Sequence, residues 1–359
     1  MNSDLLVEKV HLAGAPLIEG ELVIFIWLGK HAPGLIGDFN DWDEAHPLAM
    51  QQLAPGVWIR QEHYPQDAYL EYSYWDFERR LVDPLNPRRV YNGVGNYNNY
   101  FYMPAAQPTP ILRFYRGGLR GTVTRHTLAN NILLPHGRRS VYLYQPPVSE
   151  PCPLLIVWDG RDYLQRGKLA HIIEALIVLG RIRPLALALV HNAGRGRMTE
   201  YACSEMTLAF LVEMVLPMAR QHLNLLDPVD SPGGYGVMGA SMGGLMALYT
   251  GLRMPQLFGN VFSQSGAFNI FGRDSVVFDL IRQAEPQPIR LALQVGRFDF
   301  RRLILANQRM QALLAEKGYP VSYLEYPAGH NYTAWRDYLQ PGLEFLFGRE
   351  NEKENENLP

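Results

Sequence analysis

The sequence predicts two domains of different class, a small all-β sandwich followed by an α/β domain with a mostly parallel, helix-covered sheet. Before Pro110, short apolar stretches alternate with turn residues, and no helical periodicity is evident. After Pro110, apolar strands alternate with amphipathic segments, which is typical of α/β domains. The proline-rich AAQPTP stretch separates the two patterns. We therefore predict a first domain at 1–109, a second at 110–348, and a disordered tail at 349–359.

Short strands with turn signals between them run through the first domain. The candidate strand regions are ELVIFIWLG, PGLIGDFNDWD, APGVWIRQEHY and AYLEYSYWDF. Their spacing predicts an immunoglobulin-like sandwich. This region also contains four of the six tryptophans, which are Trp27, Trp42, Trp58 and Trp75. They are expected to fill the sandwich core, with a carbohydrate-binding face as the alternative.

The second domain shows apolar strands that end in polar or glycine-rich loops. The candidate strands are SVYLYQP, PLLIVWDG, PLALALVHN, GGYGVMGAS, GNVFSQSG, IRLALQVG and VSYLEYP. Between them, segments such as TLAFLVEMVLPMARQHLNL and ILANQRMQALLAEKGY repeat apolar residues at helical spacing. The charged C-terminal tail lacks the apolar surface that would offset the entropy of ordering.

Composition excludes several function classes. The formal net charge of -2 gives no reason to expect nucleic acid or an anionic membrane as a partner. The two cysteines are too few for a disulfide framework, and neither has the spacing of a zinc site, so we predict no metal. No stretch approaches the roughly 20 apolar residues of a membrane span. The N-terminus does not resemble a secretory signal, so a cytoplasmic location is predicted.

A candidate nucleophile lies in Gly239-Ala240-Ser241-Met242-Gly243, which fits the G-x-S-x-G pattern. The pattern follows a predicted strand and precedes a predicted helix. On such a strand-to-helix turn the serine hydroxyl is exposed above the carboxyl end of the sheet, in the manner of an α/β-hydrolase. Ser241 is therefore the predicted nucleophile.

A serine hydroxyl needs a neighbouring base to remove its proton. His330 follows the last predicted strand, which is where the histidine of an α/β-hydrolase is expected. Asp299, in the loop after the preceding strand, is the predicted acid that orients the imidazole. Asp274 and Glu325 are competing acids, and a serine-histidine dyad without an acid is also open.

The negative oxygen of the tetrahedral intermediate requires backbone N–H donors. In this architecture they follow the nucleophile and an early strand. We predict Met242 as one donor and Gly160 or Arg161, in the loop WDGRDY, as the other. The glycine is expected to let the backbone approach the ligand closely, although a simple strand-ending turn is the alternative.

These residues resemble those of the enterochelin (ferric enterobactin) esterases and the broader esterase D-like group. In the second domain the resemblance rests on Asp159-Gly160, Arg197-x-x-Glu200-Tyr201, GASMGG, SQSG and GHNYTAWR. In the first domain it rests on GDFNDW, GVW, YLEYSY and DPLNP, which look like the sandwich domain preceding the catalytic domain in those esterases. The resemblance implies ester hydrolysis through an acyl-serine intermediate, with no metal or organic cofactor.

The siderophore branch of this family implies a strongly anionic small-molecule ester as substrate, namely a ferric catecholate trilactone. Arg195 and Arg197 are candidate substrate contacts, together with Tyr201 and Trp335 of the same motifs. Arg161 and Arg336 are further basic candidates. Alternatively, these arginines form structural ion pairs with residues such as Glu200.

Two other functions stay open at this point. The same kind of catalytic domain serves feruloyl and acetyl esterases and broad short-chain carboxylesterases. A non-enzymatic alternative is a glycan-binding protein with a degenerate hydrolase domain, which the intact serine, acid and histidine disfavour. Neither the acyl and alcohol halves of the substrate nor the oligomeric state can be predicted from these motifs.

Overall fold

The computed structural model describes residues 2–93, 95–114, 118–134, 137–270 and 272–349. It divides into two units. The first comprises Met1–Pro108 with the segments Gly296–Arg301 and Tyr326–Ala334, and the second comprises the rest of the chain. The main segment of the first unit ends at Pro108, and its two other segments interrupt the second unit. The domain bounds 1–109 and 110–348 stay predictions. The predicted tail lies outside the described residues from position 350 onwards.

The first unit begins with a helix and continues as two antiparallel sheets. The elements are α1 (Ser3–Ala13), β1 (Leu17–Glu19), β2 (Leu22–Leu28), β3 (Gly34–Gly37), β4 (Gln51–Ala54), β5 (Val57–His63), β6 (Tyr69–Trp75), β7 (Arg80–Leu81), β8 (Arg89–Tyr91) and β9 (Tyr97–Tyr102), with a 3₁₀ turn at Asp38–Asn40. One sheet has the order β1-β2-β5-β4, and the other has the order β3-β6-β9-β8 with β7 paired to β6. The antiparallel sheets agree with the predicted β class, whereas the immunoglobulin-like topology stays a prediction.

Helix α1 corrects the prediction that the first domain has no helix. Strand β2 is buried on both faces of its sheet. Its alternate residues point to opposite sides and join different apolar clusters. Val23 and Phe25 join an aromatic core, while Ile24 and Ile26 join a second apolar cluster that includes α1. The helix is therefore needed to cover the outer face of its sheet, although it buries only two of its own residues, Leu6 and Val10.

The aromatic core of the first unit accounts for two of its four tryptophans. Trp27 and Trp58 pack, partly buried, against this core. Their indole N–H groups donate to the carbonyls of His31 and Gly29, each at 3.0 Å. The polar edge of each ring is thus satisfied while its apolar body is buried. These contacts support the core-filling interpretation for both residues.

The second unit contains a mixed eight-stranded sheet with helices between its strands. In chain order, the elements from residue 109 onwards are α2 (Ile111–Phe114), β10 (Thr122–Ala129), β11 (Arg138–Gln145), β12 (Leu154–Trp158), α3 (Gly160–Gln165), α4 (Leu169–Val178), β13 (Ala186–Val190), α5 (Arg197–Tyr201), α6 (Glu205–Phe210), α7 (Leu216–His222), β14 (Gly236–Ala240), α8 (Met242–Arg253), β15 (Asn260–Gln264), β16 (Asn269–Ile270), β17 (Arg273–Asp274), α9 (Val276–Gln283), β18 (Arg290–Gly296), α10 (Arg301–Glu316), β19 (Val321–Tyr326), α11 (Tyr332–Asp337) and α12 (Leu339–Phe347).

The order of the large sheet is β10-β11-β13-β12-β14-β15-β18-β19. Strands β13, β12, β14, β15 and β18 pair in parallel, and β10 and β11 add an antiparallel edge. The buried parallel strands confirm the predicted α/β class. Because parallel strands end at the same edge, the loops after β12, β13, β14 and β15 meet there.

One long amphipathic segment is interrupted rather than continuous. The predicted helical region TLAFLVEMVLPMARQHLNL forms α6, a π-helical turn at Leu211–Val215, and α7. Among the described residues, no single helix has both the length and the apolarity to cross a membrane, although the bent pair Gly194–Tyr201 and Glu205–His222 meets these criteria jointly.

Candidate active site

Ser241 occupies the turn between β14 and α8, with backbone angles φ 57° and ψ -121°. A positive φ is uncommon for a residue with a side chain and stores strain. Ser241 is half-buried, whereas its neighbours in β14 and α8 are fully buried. The turn also requires small neighbours, since a Cβ at Gly239 would lie 2.4 Å from the carbonyl oxygen of Gly243. The predicted strand-to-helix turn, the elbow, is therefore present at Ser241.

Two helix N-termini lie at the carboxyl edge of the sheet near this elbow. Met242 is the first residue of α8, and Gly160 is the first residue of α3. The first N–H groups of a helix have no acceptor inside the helix and are available to an anion. The roles of Met242, Gly160 and Arg161 as oxyanion donors remain predictions.

Glycine at position 160 has a packing reason in addition to the predicted one. A Cβ there would lie 2.1 Å from the backbone carbonyl carbon of Leu189 and 2.4 Å from the nitrogen of Val190. The missing side chain therefore faces strand β13, where α3 packs directly on the backbone. Glycine therefore allows helix and strand to approach each other here, while the expected approach of the Gly160 backbone to a ligand stays a prediction.

Asp159, directly before Gly160, is the centre of a buried polar cluster. The Arg197 Nε and Nη2 atoms donate to its two carboxylate oxygens at 2.7 and 2.6 Å. Asn192 donates to the same carboxylate at 2.6 Å. The Arg197 Nη2 atom also lies 3.3 Å from the carbonyl oxygen of Ala240, the residue before Ser241. Arg197 thus connects the end of β12 with the end of β14.

The four predicted substrate contacts have different environments. The Arg197 guanidinium is engaged by Asp159, and the Tyr201 hydroxyl, in a side chain buried to 1% exposure, accepts from the Asp159 N–H at 3.0 Å. Trp335 is 5% exposed and donates to the Ser265 hydroxyl at 3.1 Å. Of the four, only Arg195 is exposed. Their contact with substrate remains a prediction.

Other predicted ion pairs involve different partners from those expected. Glu200 accepts from the Arg139 guanidinium and from the Ala193 N–H, so its arginine partner lies on β11. Arg336, named above as a basic candidate, donates to the neighbouring Asp337 through two hydrogen bonds of 2.8 and 3.1 Å.

His330 and Asp299 both lie in the first unit, on its two segments Tyr326–Ala334 and Gly296–Arg301. The imidazole Nδ1 atom is 2.8 and 3.1 Å from the two Asp299 carboxylate oxygens. The Asp299 side chain is fully buried, and its Oδ1 atom also accepts from the Phe300 N–H at 2.7 Å. An ionised carboxylate can only accept, so it selects the tautomer in which Nδ1 carries the proton.

The two competing acids are engaged elsewhere. Asp274 accepts from the Arg309 guanidinium at 2.6 Å, and Glu325 accepts from the Tyr323 hydroxyl at 2.7 Å. These contacts favour Asp299 as the partner of His330.

An open cavity of about 330 Å³ in the second unit has a basic lining that sequence reasoning missed. It is lined by Arg125, Thr127, Arg138, Arg139, Ser140, His191 and Asn192. In the part of the chain that the structure describes, Arg125 and Arg138 have no carboxylate within ion-pair distance. His191 and Asn192 directly follow β13, so the cavity borders the same edge of the sheet as the elbow.

His191 is one of the residues that line this cavity, and it is partly buried. Its Nδ1 atom is buried, and no hydrogen-bond partner is found for it among the described residues. Burial, and then the positive charge of Arg161, lower the pKa of His191. The only sequence signal for the cavity was the basic pattern of β10 and β11, and β10 was not predicted as a strand.

Comparison with known proteins finds similarity to esterases, both in sequence and in fold. The family described as "Putative esterase" matches residues 134–346. The iron(III) enterobactin esterase of Dickeya dadantii is 28% identical over 335 residues, covering 86% of this chain and 74% of that protein. The solved ferric enterobactin esterase of Salmonella typhimurium aligns over 96% of this chain and 98% of its own, with 20% identity and a TM-score of 0.79.

A second group of structures matches only part of the chain. A ferulic acid esterase from Anaeromyces mucronatus, solved in complex with ferulic acid, covers 66% of this chain and 95% of its own. Its sequence identity is 17%, and its TM-score is 0.53. The similarity in fold is therefore more extensive with the enterobactin esterases.

Proposed function

We propose that this chain, which belongs to the family described as "Putative esterase" and is a carboxylic ester hydrolase, cleaves the ester bonds of an anionic catecholate siderophore. The observation that carries the catalytic part is the strained, half-buried Ser241 at the turn from β14 to α8. The nucleophile would be Ser241, the general base His330, and the orienting acid Asp299.

In the first half of the reaction, the Ser241 Oγ atom attacks the ester carbonyl carbon while the His330 Nε2 atom accepts its proton. The Asp299 carboxylate holds the Nδ1 proton and stabilises the imidazolium that forms. The tetrahedral oxyanion accepts hydrogen bonds from the Met242 N–H and from the N–H of Gly160 or Arg161. The intermediate then expels the alcohol, which takes the proton from His330, and an acyl-serine remains.

In the second half, water attacks the acyl carbonyl and His330 accepts its proton. The second tetrahedral intermediate uses the same N–H donors. It breaks the bond to Ser241 Oγ, which regains a proton from His330 and releases the carboxylic acid. Each proton removed is returned, so the cycle needs only water as co-reactant.

The cavity bordered by Arg125 and Arg138 supports an anionic substrate. Among the described residues these two guanidinium groups have no carboxylate partner, and such groups suit phenolate and carboxylate oxygens because they offer several donors in one plane. The similarity to enterobactin esterases over nearly the whole chain supports the siderophore class as well. The cytoplasmic location stays a prediction.

The test offers the wild-type chain a ferric catecholate trilactone and, in parallel, a feruloylated sugar, with products identified by mass spectrometry. Cleavage of the trilactone, lost in Ser241→Ala, supports the proposal. Ser149→Ala, which removes an exposed hydroxyl of the same unit, is the matched control. Cleavage of the sugar ester alone would assign the chain to the feruloyl esterase alternative.

A fluorophosphonate probe tests the nucleophile without any choice of substrate, because it reacts with activated serines. Labelling of Ser241, located by peptide mass spectrometry and absent in His330→Gln, is the expected result. Labelling that persists in Ser241→Ala would refute the assignment of the nucleophile.

A further inference from the structure

We propose that Asp38, in the β-sandwich of the first unit, is a positioning residue that holds the loop carrying His330 in place. The sandwich would then contribute to catalysis through its turn Gly37–Trp42, which follows β3. This role of Asp38 rests on the proposed function, in which His330 is the general base.

The Asp38 carboxylate is buried, with 4% of the residue exposed, and donors approach it from three sides. Its Oδ1 atom accepts from the Trp42 indole N–H at 2.9 Å. Its Oδ2 atom accepts from the Glu71 backbone N–H at 2.8 Å and lies 3.5 Å from Asn331 Nδ2. The first two bonds fix the carboxylate within the sandwich, and the third reaches the residue after His330.

Gly329, the residue before His330, lies directly against the same carboxylate. A Cβ at this position would be 2.0 Å from the Asp38 Cγ atom. Gly329 and Asn331 therefore both meet Asp38, one through close packing and the other through its amide. His330 lies between Gly329 and Asn331 in sequence. A shift of the Asp38 side chain therefore changes the position of the His330 backbone.

The start of the same loop is held by the sandwich backbone. The Tyr69 N–H donates to the Pro327 carbonyl at 3.0 Å, which places the loop next to β6. Further along, the Ala334 N–H donates to the Asn331 side chain at 2.8 Å. The Asn331 amide group thus connects the start of α11 with Asp38.

The segment that carries Asp299 is held by the same turn. Asp41 accepts from the Arg301 N–H at 3.2 and 3.3 Å. Phe298 packs against the aromatic core of the sandwich, with its ring centroid 6.0 Å from that of Tyr64. The turn Gly37–Trp42 therefore contacts both segments whose side chains form the Asp299–His330 pair.

The environment of Asp38 is costly for a carboxylate. Burial raises the pKa of Asp38 well above its usual value, and the nearby charges of Glu71 and Asp299 raise it further. Trp42, Glu71 and Asn331 nevertheless direct N–H groups at its two oxygens. Removing these acceptors leaves buried donors unpaired on both the sandwich and the His330 loop.

The test compares Asp38→Ala, Asp38→Asn and Gly329→Ala in the full-length chain, with Asp43→Ala as the matched control. Asp43 lies one residue beyond this turn and is half-exposed, and among the described residues its side chain bonds only Ala45 and His46. We expect kcat to fall by about 10²-fold in Asp38→Ala and Gly329→Ala, because a displacement of about 1 Å has that effect on a reacting group. KM should stay within about twofold.

Asp38→Asn preserves the size and one oxygen acceptor, so we expect it to recover part of kcat. The second readout is the low-field NMR signal of the His330 Nδ1 proton, assigned by its loss in His330→Gln. We expect it to shift or broaden in Asp38→Ala and Gly329→Ala and to be unchanged in Asp43→Ala. This signal reports the Asp299–His330 pair even if the wild-type chain cleaves none of the esters offered.

The proposal is overturned if kcat and the low-field signal are both unchanged in Asp38→Ala. It is also overturned if kcat falls only in proportion to the folded fraction, measured by circular dichroism at the assay temperature. If the chain does not hydrolyse the esters offered, the result differs. Wild type then shows no turnover, while the NMR signal of His330 still responds to Asp38→Ala.

Discussion

Substitution of Arg197 shows whether this side chain holds Asp159 and Ala240 in place, which we call the bracing role, or contacts the substrate. Arg197→Ala removes two charge-assisted hydrogen bonds to Asp159 and one contact of 3.3 Å to the Ala240 carbonyl. Only 1% of the Asp159 side chain is exposed, and Asn192 would still donate to its carboxylate. Breaking a buried pair costs about 3–5 kcal/mol. We expect about 3 kcal/mol, because the Arg197 side chain is 27% exposed and water can replace part of it.

The same substitution should lower the rate of the chemical step. Asp159 precedes the candidate oxyanion donor Gly160, and Ala240 precedes Ser241, so the loss of Arg197 loosens both. Loss of one oxyanion donor costs about 10²–10³ in kcat. Arg197→Ala displaces the oxyanion donor but does not remove it. We therefore expect kcat to decrease by about 10–100-fold at nearly unchanged KM.

The assays are urea denaturation and steady-state kinetics on one ester substrate. Adding Asp159→Asn to Arg197→Ala should recover most of the lost stability, because no buried charge is then left unpaired. Arg195→Ala, two residues away and exposed, should leave the denaturation midpoint unchanged. An Arg197→Ala protein with wild-type stability and a raised KM would refute the bracing role and indicate contact with substrate.

Three further substitutions test other parts of the second unit. Gly244→Ala should lower kcat, since its Cβ would lie 2.6 Å from the buried Ser263 hydroxyl and the elbow would have to shift. Arg138→Gln should raise KM for a ferric catecholate but not for a neutral acetyl ester, and the difference should shrink at high salt. Glu174→Gln should destabilise the fold by about 2 kcal/mol in urea, because the carboxylate accepts from two backbone N–H groups and from the Tyr144 hydroxyl.

Each of these expectations has a contrary outcome. Wild-type kcat in Gly244→Ala would mean that the helix can move away without affecting Ser241. Equal changes in KM for charged and neutral esters would exclude the basic cavity as an anion subsite. A Glu174→Gln protein as stable as wild type would show that a neutral amide satisfies the same backbone donors.

The residues predicted best from sequence are those whose role is local. The elbow needs a strand, a strained serine and small neighbours in consecutive positions, so all its requirements are visible in one short stretch. In the structure Ser241 has a positive φ at the turn from β14 to α8, and a Cβ at Gly239 would meet Gly243, while the role of Ser241 as nucleophile stays a prediction. His330 and Asp299 were predicted from the order of strands, and the hydrogen bond between them agrees with that order.

The residues predicted least well depend on partners distant in sequence. A guanidinium fits a substrate carboxylate and a protein carboxylate equally well, so the sequence alone could not show that Arg197 is engaged by Asp159. The reason for Gly160 was missed because the closely packed strand β13 lies about thirty residues further along the chain. Strand β10 was missed because nearly all of it is exposed, which leaves no apolar alternation to detect.

The division of the chain into two units separates strands from the residues that directly follow them in sequence. Strands β18 and β19 belong mainly to the second unit, yet the residues directly after them, including Asp299 and His330, belong to the first. Loops at the carboxyl edge of a parallel sheet have few partners in the sheet itself, so neighbouring structure must satisfy their backbone groups. Here Asp41 accepts from the Arg301 N–H and Tyr69 donates to the Pro327 carbonyl, while Asp38 accepts from the Asn331 side chain. A motif such as GDFNDW, which alone indicates only a sandwich turn, therefore gains a functional interpretation only when its three-dimensional neighbours are known.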